Sequence, residues 1–207
     1  MKIWDLPTRL YHWLQALLFT LLAASGFSGN GPHELLGIGL AVLVAWRIAW
    51  GVAGSDTSRF KKFIRSPKTV IRYLKGNQPH DGVGHNPAGG WMVVLLLSLL
   101  VTQCFIGMSL AGFFDPLISD NSILYDFDLL VTLHVWLAYL LVASVVLHVG
   151  AIAVYKMKGK SLVKAMLTGK HASVMDNVSI IFRSNIRAVI LLGMVGGAMG
   201  FLLNLQA

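Results

Sequence analysis

The chain has 207 residues, of which 56% are hydrophobic and only 13% are charged, and its formal net charge is +8. A soluble domain of this length would carry far more charge on its surface, so the composition excludes an ordinary soluble globular protein. The apolar residues are gathered in runs long enough to cross a bilayer, which takes about 20 helical residues. The sequence therefore predicts an all-α integral membrane protein.

Five apolar runs are predicted to be membrane-spanning helices. In chain order they cover Leu10–Phe27, His33–Ala53, Gly89–Phe113, Leu129–Tyr155 and Ile186–Leu205. The first run contains His12 and Gln15 and lacks a cleavage site of small residues followed by a polar stretch, so we expect a retained helix rather than a signal peptide. We expect residues 1–170 to form a four-helix core, and residues 171–207 to add a connection and a fifth transmembrane helix.

The connection between the second and third runs contains a basic and apolar stretch, Ser58–Lys75. Its apolar side chains alternate with lysines and arginines, which is typical of helices that lie on a membrane surface. Pro67 divides the stretch, so we expect two short amphipathic helices. The glycine-rich segment Gly82–Gly90 is then predicted to form a turn that leads into the third run.

The basic residues are distributed unevenly between the connections. Most of them lie in two stretches, namely Arg59, Lys61, Lys62, Arg65, Lys68, Arg72 and Lys75 after the second run, and Lys156, Lys158, Lys160, Lys164, Lys170 and Arg183 after the fourth. The connection between the third and fourth runs has no Lys or Arg and carries Asp115, Asp120, Asp126 and Asp128. This positive-inside distribution predicts a cytoplasmic N-terminus and an outer C-terminus. The basic residues then face anionic lipid headgroups, and nucleic acid is not an expected partner.

Cysteine chemistry is limited by the single cysteine, Cys104, in the middle of the third run. One cysteine excludes a disulfide, an iron–sulfur cluster and a thioether-linked haem within this chain. We interpret Cys104 as a small core residue.

Four of the seven histidines, His12, His33, His134 and His148, lie inside the predicted spans. An ionisable side chain within a membrane is energetically costly and usually functional, although a hydrogen bond to a neighbouring helix is the alternative. His134 and His148 are 14 residues apart in one helix, which places them within roughly 40° of the same face and about 21 Å apart along the axis. The fourth helix therefore presents two imidazoles at two membrane depths.

The predicted orientation of the helices decides which histidines can meet. His12 at the start of the first span and His148 at the end of the fourth lie at inner depth. His33 and His134, each at the start of its span, lie at outer depth. Each depth then has two imidazoles on different helices, which suits a planar cofactor with one axial ligand on each side. A b-type haem, held by axial histidines and by packing, is the cofactor that this arrangement favours.

Other roles for the four histidines remain alternatives. Zinc would require a third or fourth ligand at each depth, and Glu34 is the only carboxylate inside a span. A proton relay would also require carboxylates. Arg9, one turn before His12, and Arg47, inside the second span, are candidates to bind haem propionates. His80, His85 and His171 lie in connections and are not expected axial ligands, although His85 is a candidate to assist at a quinone site.

Several segments together resemble the bacterial cytochrome b561 family. They are WDLPTRLYHW (residues 4–13), HELLGIGLAVLVAWRIAWG (33–51), RSPKTVIRYLKG (65–76), GHNP (84–87) and the two Leu-His pairs of the fourth run. More narrowly, they resemble the b-type cytochrome subunits of membrane-bound nickel–iron hydrogenases, over residues 1–169. The resemblance implies a bacterial inner-membrane protein with two b haems that carries electrons between membrane quinone and a periplasmic redox partner. It implies His12, His33, His134 and His148 as ligands, and the fifth span departs from its four-helix pattern.

Three functions compete at this point. The first is an electron-transfer subunit of an oxidoreductase complex, whose periplasmic partner is a hydrogenase or a subunit resembling a c-type cytochrome. The second is a self-contained superoxide:quinone oxidoreductase, which some members of the family resemble; the aspartate-rich outer connection fits an anionic substrate poorly and a basic protein better. The third is a membrane anchor without a cofactor, in which the histidines only join helices.

Overall fold

The computed structural model describes residues 1–80, 83–115, 122–123, 126–171 and 179–204. Asp120, Gly82 and Leu205, which the predictions above include, lie outside this part of the chain. The described residues form eight α-helices and a short 3-10 helix at Asp56–Ser58. The helices are α1 (Leu6–Ser28), α2 (His33–Ala53), α3 (Phe60–Phe63), α4 (Pro67–Leu74), α5 (Pro87–Leu110), α6 (Phe127–Met157), α7 (Leu162–Thr168) and α8 (Asn185–Asn204).

Five of these helices, α1, α2, α5, α6 and α8, are long and apolar enough to cross a membrane. They begin and end within a few residues of the five predicted spans, so the all-helical, multi-span prediction is confirmed. The described residues include no β-strand, only one isolated bridge between Lys2 and Lys170.

Helix starts follow from local side-chain caps. Asn86 accepts a hydrogen bond from the backbone N–H of Gly89, 2.7 Å away, and a proline follows it as the first residue of α5. Ser66 and Pro67 begin α4 in the same way. A cap oxygen satisfies a free backbone N–H, and proline has none to leave unpaired, so this combination favours a helix start. The two short surface helices predicted around Pro67 are therefore α3 and α4.

Helix α2 lies at the centre of the bundle and packs against α1, α5 and α8. Helix α6 packs against α5 and α7. The main core cluster joins Leu40 and Val44 of α2, Leu100 of α5 and Leu141 of α6, each 3% exposed or less. The α1–α2 pair and the α5–α6 pair are therefore joined mainly through the contact between α2 and α5.

The two ends of the bundle differ in charge and in covering. At the end that we call the basic end, α1, α5 and α8 begin, α2 and α6 end, and α3, α4 and α7 lie nearby. At the opposite end, the acidic end, residues 29–32 join α1 to α2 and residues 111–126 join α5 to α6, and the described aspartates Asp115, Asp126 and Asp128 are found there.

The N-terminal segment pairs with the chain after α7. The backbone N–H groups of Ile3 and Trp4 donate to the carbonyl oxygen of Gly169 at 2.7 and 3.2 Å, and His171 N–H donates to the carbonyl of Met1 at 2.9 Å. Ile3 and Trp4 also pack against Ala165 of α7. The beginning of α1 is therefore anchored to the segment that follows α6.

Helix α8 contacts α1 and α2. Trp46 Nε1 donates a hydrogen bond of 2.9 Å to the carbonyl oxygen of Ala188, and Trp46 forms a buried cluster with Tyr11, Trp50 and Ala188. Before α8, the N–H of Arg183 donates to Ser55 Oγ at 3.0 Å. The fifth span is thus attached to the first two rather than standing apart from the bundle.

Candidate functional site

The four intramembrane histidines form two pairs, and α6 supplies one histidine of each pair. The ring centroids of His12 and His148 are 6.5 Å apart, and their planes make an angle of 53°. The centroids of His33 and His134 are 6.1 Å apart, with an angle of 79°. The first pair lies at the basic end and the second at the acidic end. Helices α1 and α2 each supply one partner, and α6 supplies the other partner of both pairs.

The spacing within each pair fits one metal centre between two rings. A metal–imidazole bond is about 2 Å long, and a ring nitrogen lies roughly 1 Å from its centroid, so two opposed ligands have centroids about 6 Å apart. Two such rings, without a third protein ligand, leave an equatorial plane that a tetrapyrrole can fill. Among the described residues, no group of three or more His, Cys, Asp or Glu side chains could hold a metal ion. Zinc with three or four protein ligands therefore finds no site in this part of the chain.

At the acidic end, Ser25 orients the ring of His33. Ser25 Oγ lies 3.1 Å from the carbonyl oxygen of Leu22, to which it donates, and 3.0 Å from His33 Nδ1. The hydroxyl oxygen can therefore accept a hydrogen bond from Nδ1–H, which leaves Nε2 of His33 as the nitrogen that could bind a metal.

Two glycines allow close approach to the rings of this pair. A Cβ atom added at Gly26 would lie 3.1 Å from His33 Cε1, and one added at Gly107 would lie 3.1 Å from His134 Cε1. Any larger residue would press on the imidazole, so each glycine forms part of the space around its histidine. Gly26 does not belong to any motif that the sequence analysis identified. Its position one turn before the tight α1–α2 connection was the available signal.

Three other glycines, two on α2 and one in the turn after α5, have different surroundings. A Cβ at Gly37 would meet nothing within 4 Å, and one at Gly39 would meet Leu18. Gly112 has φ of +73°, a left-handed conformation in the turn after α5.

Helix α5 also supplies Gln103, whose Nε2 donates to the carbonyl oxygen of His134 at 3.1 Å.

At the basic end, a buried arginine lies near the histidine pair. Arg47 is 3% exposed, and its guanidinium carbon lies 5.1 Å from the ring centroid of Phe60 and 6.0 Å from that of Tyr11. Its Nη1 atom is buried and has no hydrogen-bond partner among the described residues. A buried N–H group without a hydrogen-bond acceptor is unfavourable, so the Nη1 side of this guanidinium is suited to bind an anionic group. His12 Nδ1 is likewise buried without a described partner.

Arg9 is engaged elsewhere. Its Nε donates to the carbonyl oxygen of Met166 at 3.2 Å, and its Nη2 donates to that of Leu167. Arg9 thus caps the C-terminal end of α7 and ties it to α1. A contact with a propionate would have to use the remaining nitrogen, Nη1.

His85 lies in an aromatic pocket at the basic end. Its ring centroid is 4.7 Å from those of both Trp4 and Phe63. Burial, and then the positive charge of Arg47 with smaller effects of neighbouring histidines, lower the pKa of His85 to about 3. The imidazole is therefore neutral at physiological pH and a weak base. His80 and His171 lie outside the spans, beside Tyr73 and Met1 respectively.

A buried polar cluster around Asp5 was not predicted. Asp5 is 2% exposed and accepts hydrogen bonds from Thr8 N–H at 2.9 Å and Trp50 Nε1 at 3.2 Å, and Ser58 Oγ lies 3.5 Å away. The cluster joins the start of α1 to the end of α2. Asp5 as a helix cap could have been recognised in the sequence, but its contacts with α2 could not.

Comparison with known proteins gives one match. A family model described as prokaryotic cytochrome b561 matches residues 3–169. No match was found among curated proteins or among solved structures.

Proposed function

The chain belongs to the prokaryotic cytochrome b561 family, and from this premise we propose that it is a dihaem cytochrome. The family is one of b-type cytochromes that transfer electrons in membranes, and the five apolar helices agree with a multi-pass membrane protein. We propose that this chain carries electrons between membrane quinone and a periplasmic redox partner. The observation that supports it best is the presence of two histidine pairs with the spacing of axial ligands, one at each end of the bundle.

We assign one haem to each histidine pair. His12 and His148 would hold the basic-end haem, and His33 and His134 the acidic-end haem. When bound, haem iron supplies reversible one-electron chemistry. Two histidines of the chain would hold each haem, so the iron would have no position for a substrate, which favours electron transfer over substrate binding. The residues of the chain would orient the haem rings, exclude water from them and set the charge around them.

Two arginines are proposed to neutralise haem propionates at the basic end. Arg47 is the stronger candidate, because its Nη1 is buried and without a described partner. Arg9 is the weaker one, because two of its nitrogens already donate to α7. Guanidinium groups bind carboxylates through charge-assisted hydrogen bonds, so either contact would stabilise the bound haem.

We propose a bacterial inner-membrane location with the basic end at the cytoplasmic face. The positive-inside rule supports this orientation, which places the N-terminus inside and the C-terminus in the periplasm. Residues 1–170 would be the electron-transfer core, in agreement with the extent of the family match, and residues 171–207 would add the helix that covers part of α1 and α2.

The acidic end is the proposed docking face for the periplasmic partner. Asp115, Asp126 and Asp128 would favour a basic protein surface, such as that of a hydrogenase subunit or a c-type cytochrome. A self-contained superoxide:quinone oxidoreductase is the second candidate, but these carboxylates would repel an anionic substrate. The low pKa of His85 makes it a poor proton acceptor for quinone, so we assign it at most a hydrogen-bonding role there.

The test is the haem content of the purified protein. The reduced-minus-oxidised spectrum should show the α-band of a b-type haem, and a pyridine haemochrome assay should give two haems per chain. A redox titration should resolve two components. One haem per chain would refute the dihaem assignment, and a chain that binds no haem when expressed with adequate haem supply would refute the proposal as a whole.

A further inference from the structure

A groove lies at the basic end, away from the histidine pairs. It is formed between the last turns of α6 and the helix α7, and its volume is about 340 Å³. Its apolar lining is Ile152, Leu162, Val163 and Leu167, and its polar lining includes Lys156 and Lys164. From this combination we infer that the groove binds an anionic phospholipid, with its phosphodiester at the two lysines and an acyl chain along the apolar residues.

The depth of the groove in the membrane matches that of a lipid headgroup. Helix α6 has 31 residues and is roughly 46 Å long, whereas the hydrocarbon core is about 30 Å thick. Its last turns therefore extend into the headgroup region. With the basic end at the membrane surface, we expect Ile152 near the hydrocarbon boundary and Lys156, one turn later, at the level of the phosphates. The groove thus spans the boundary that a phospholipid itself spans.

The charge of the groove is not neutralised by the protein. No Asp or Glu occurs between residues 129 and 175. Neither lysine forms an ion pair with a carboxylate in the described part of the chain, where the recorded pair is Arg59–Asp56. Both lysines are exposed, so an anionic headgroup can reach them. Basic pockets at this level between membrane helices favour anionic over zwitterionic lipids.

The wall of the groove is held in place before any lipid binds. Ala165 of α7 is 2% exposed and packs against Ile3 and Trp4. Arg9 caps the carbonyl groups of Met166 and Leu167 on the same helix. The opposite face of α7 leaves Val163 and Leu167 44% and 55% exposed. A fixed helix with exposed apolar and basic side chains loses little conformational entropy on binding, which increases affinity.

The apolar floor argues for a lipid rather than a free phosphate ion. Free phosphate would contact the lysines and leave the four apolar side chains of the groove uncovered. Ser161, the N-cap of α7, makes no capping hydrogen bond with its side chain, so its hydroxyl is available to a headgroup oxygen. The groove does not involve the histidine pairs, so this inference is independent of the haem assignment.

The experiment compares lipid binding to the complete, detergent-purified protein by native mass spectrometry. Phosphatidylglycerol and phosphatidylcholine with identical acyl chains are titrated separately. We expect one molecule of phosphatidylglycerol to bind tightly to each chain and phosphatidylcholine to bind weakly. In the K156Q/K164Q variant the phosphatidylglycerol affinity should fall about thirty-fold, because each lysine near an anionic headgroup contributes about fivefold.

The matched control is K61Q/K62Q, which removes the same charge from α3 at the same end of the bundle. It should keep the affinity of the unmodified protein. Equal loss in both double variants would overturn the inference, because it would show a general charge effect. Equal binding of the two lipids would also overturn it. Displacement of phosphatidylglycerol by millimolar inorganic phosphate would show that the site binds the phosphate ion rather than the lipid.

Discussion

The two histidine pairs share α6 but have different surroundings. At the acidic end, the rings are bounded by Gly26 and Gly107, and His33 is oriented by a hydrogen bond with Ser25. At the basic end, no such bond to His12 Nδ1 is found in the described residues, and the buried cation Arg47 lies nearby. Ligand orientation and local charge both set the potential of a haem. The comparison teaches that one helix can present two similar histidine pairs in different surroundings, namely close-packed glycines at one end and a buried cation at the other.

The largest effect is expected from removing a ligand. The H33A and H134A variants should each lose the same haem and keep the other, because we propose that each pair holds one haem. The haem content should fall from two to one per chain, and the same component should disappear from both redox titrations. If the two variants lost different components, the pairing across α2 and α6 would be wrong.

A smaller effect is expected when the space around His134 is filled. The Cβ of G107V would press on the imidazole, and overpacking of this kind costs about 1–3 kcal/mol. The affinity for the acidic-end haem should therefore fall roughly tenfold, with the basic-end haem unchanged. The control is G150V on α6, where a Cβ would meet nothing within 4 Å. Equal haem loss in both variants would show that the effect is not specific to His134.

Removal of the buried charge should affect the basic end alone. A positive charge favours the reduced state of a nearby haem, so R47Q should lower the midpoint potential of the basic-end component by on the order of 50 mV. The acidic-end component should not move. The exposed Arg72 supplies the control variant, R72Q. A shift of both components, or of neither, would contradict the assignment of Arg47 to the basic end.

The hydrogen bond from His33 to Ser25 should lower the potential of the acidic-end haem, because it makes the imidazole more electron-rich. S25A removes this bond, and the midpoint potential of the acidic-end component should rise by about 20–40 mV, as expected for one hydrogen bond. A potentiometric titration measures the shift. An unchanged potential would mean that Ser25 only packs against the ring.

The smallest expected effect concerns pH and stability. The pKa of His85 is lowered from 6.5 to about 3 by burial and by Arg47. Below pH 6.5 the unfolded chain therefore binds a proton that the folded chain does not, and stability falls as the pH falls towards 3. In detergent, the melting temperature of H85Q should fall less steeply with decreasing pH than that of the unmodified protein. An equal pH dependence of the melting temperature in H85Q and the unmodified protein would contradict the buried, neutral state of His85.

The spans and the histidine pairing could be predicted because they depend on regular structure. A run of about 20 apolar residues must form its backbone hydrogen bonds internally, so its position is visible in the sequence. The spacing of His134 and His148 gives their common face directly from helix geometry. These predictions needed no knowledge of how the irregular segments fold.

The surroundings of the histidines could not be predicted because they depend on which side chains meet across helices. Gly26 and Ser25 look like ordinary small residues of a membrane helix until α2 places His33 against them. Arg9 is a propionate candidate because it lies one turn from His12, but its guanidinium also caps α7, which follows it by more than 150 residues. The burial of Arg47 between Tyr11 and Phe60 also required the position of α3.

The pairing of the N-terminal segment with residues 169–171 has a consequence for biosynthesis. A chain made from its N-terminus exposes α1 first, yet the hydrogen bonds from Arg9 to α7 join residues 157 and 158 positions apart. The contacts of the start of α1 with α7 can form only after α6 and α7 have been made, whereas those with α2 can form earlier. The acidic-end pair, His33 and His134, is complete once α6 has been made and lies at the opposite end of the bundle from α7. We therefore expect the acidic-end haem to be incorporated first during assembly, and the basic-end haem after α7 has closed on α1.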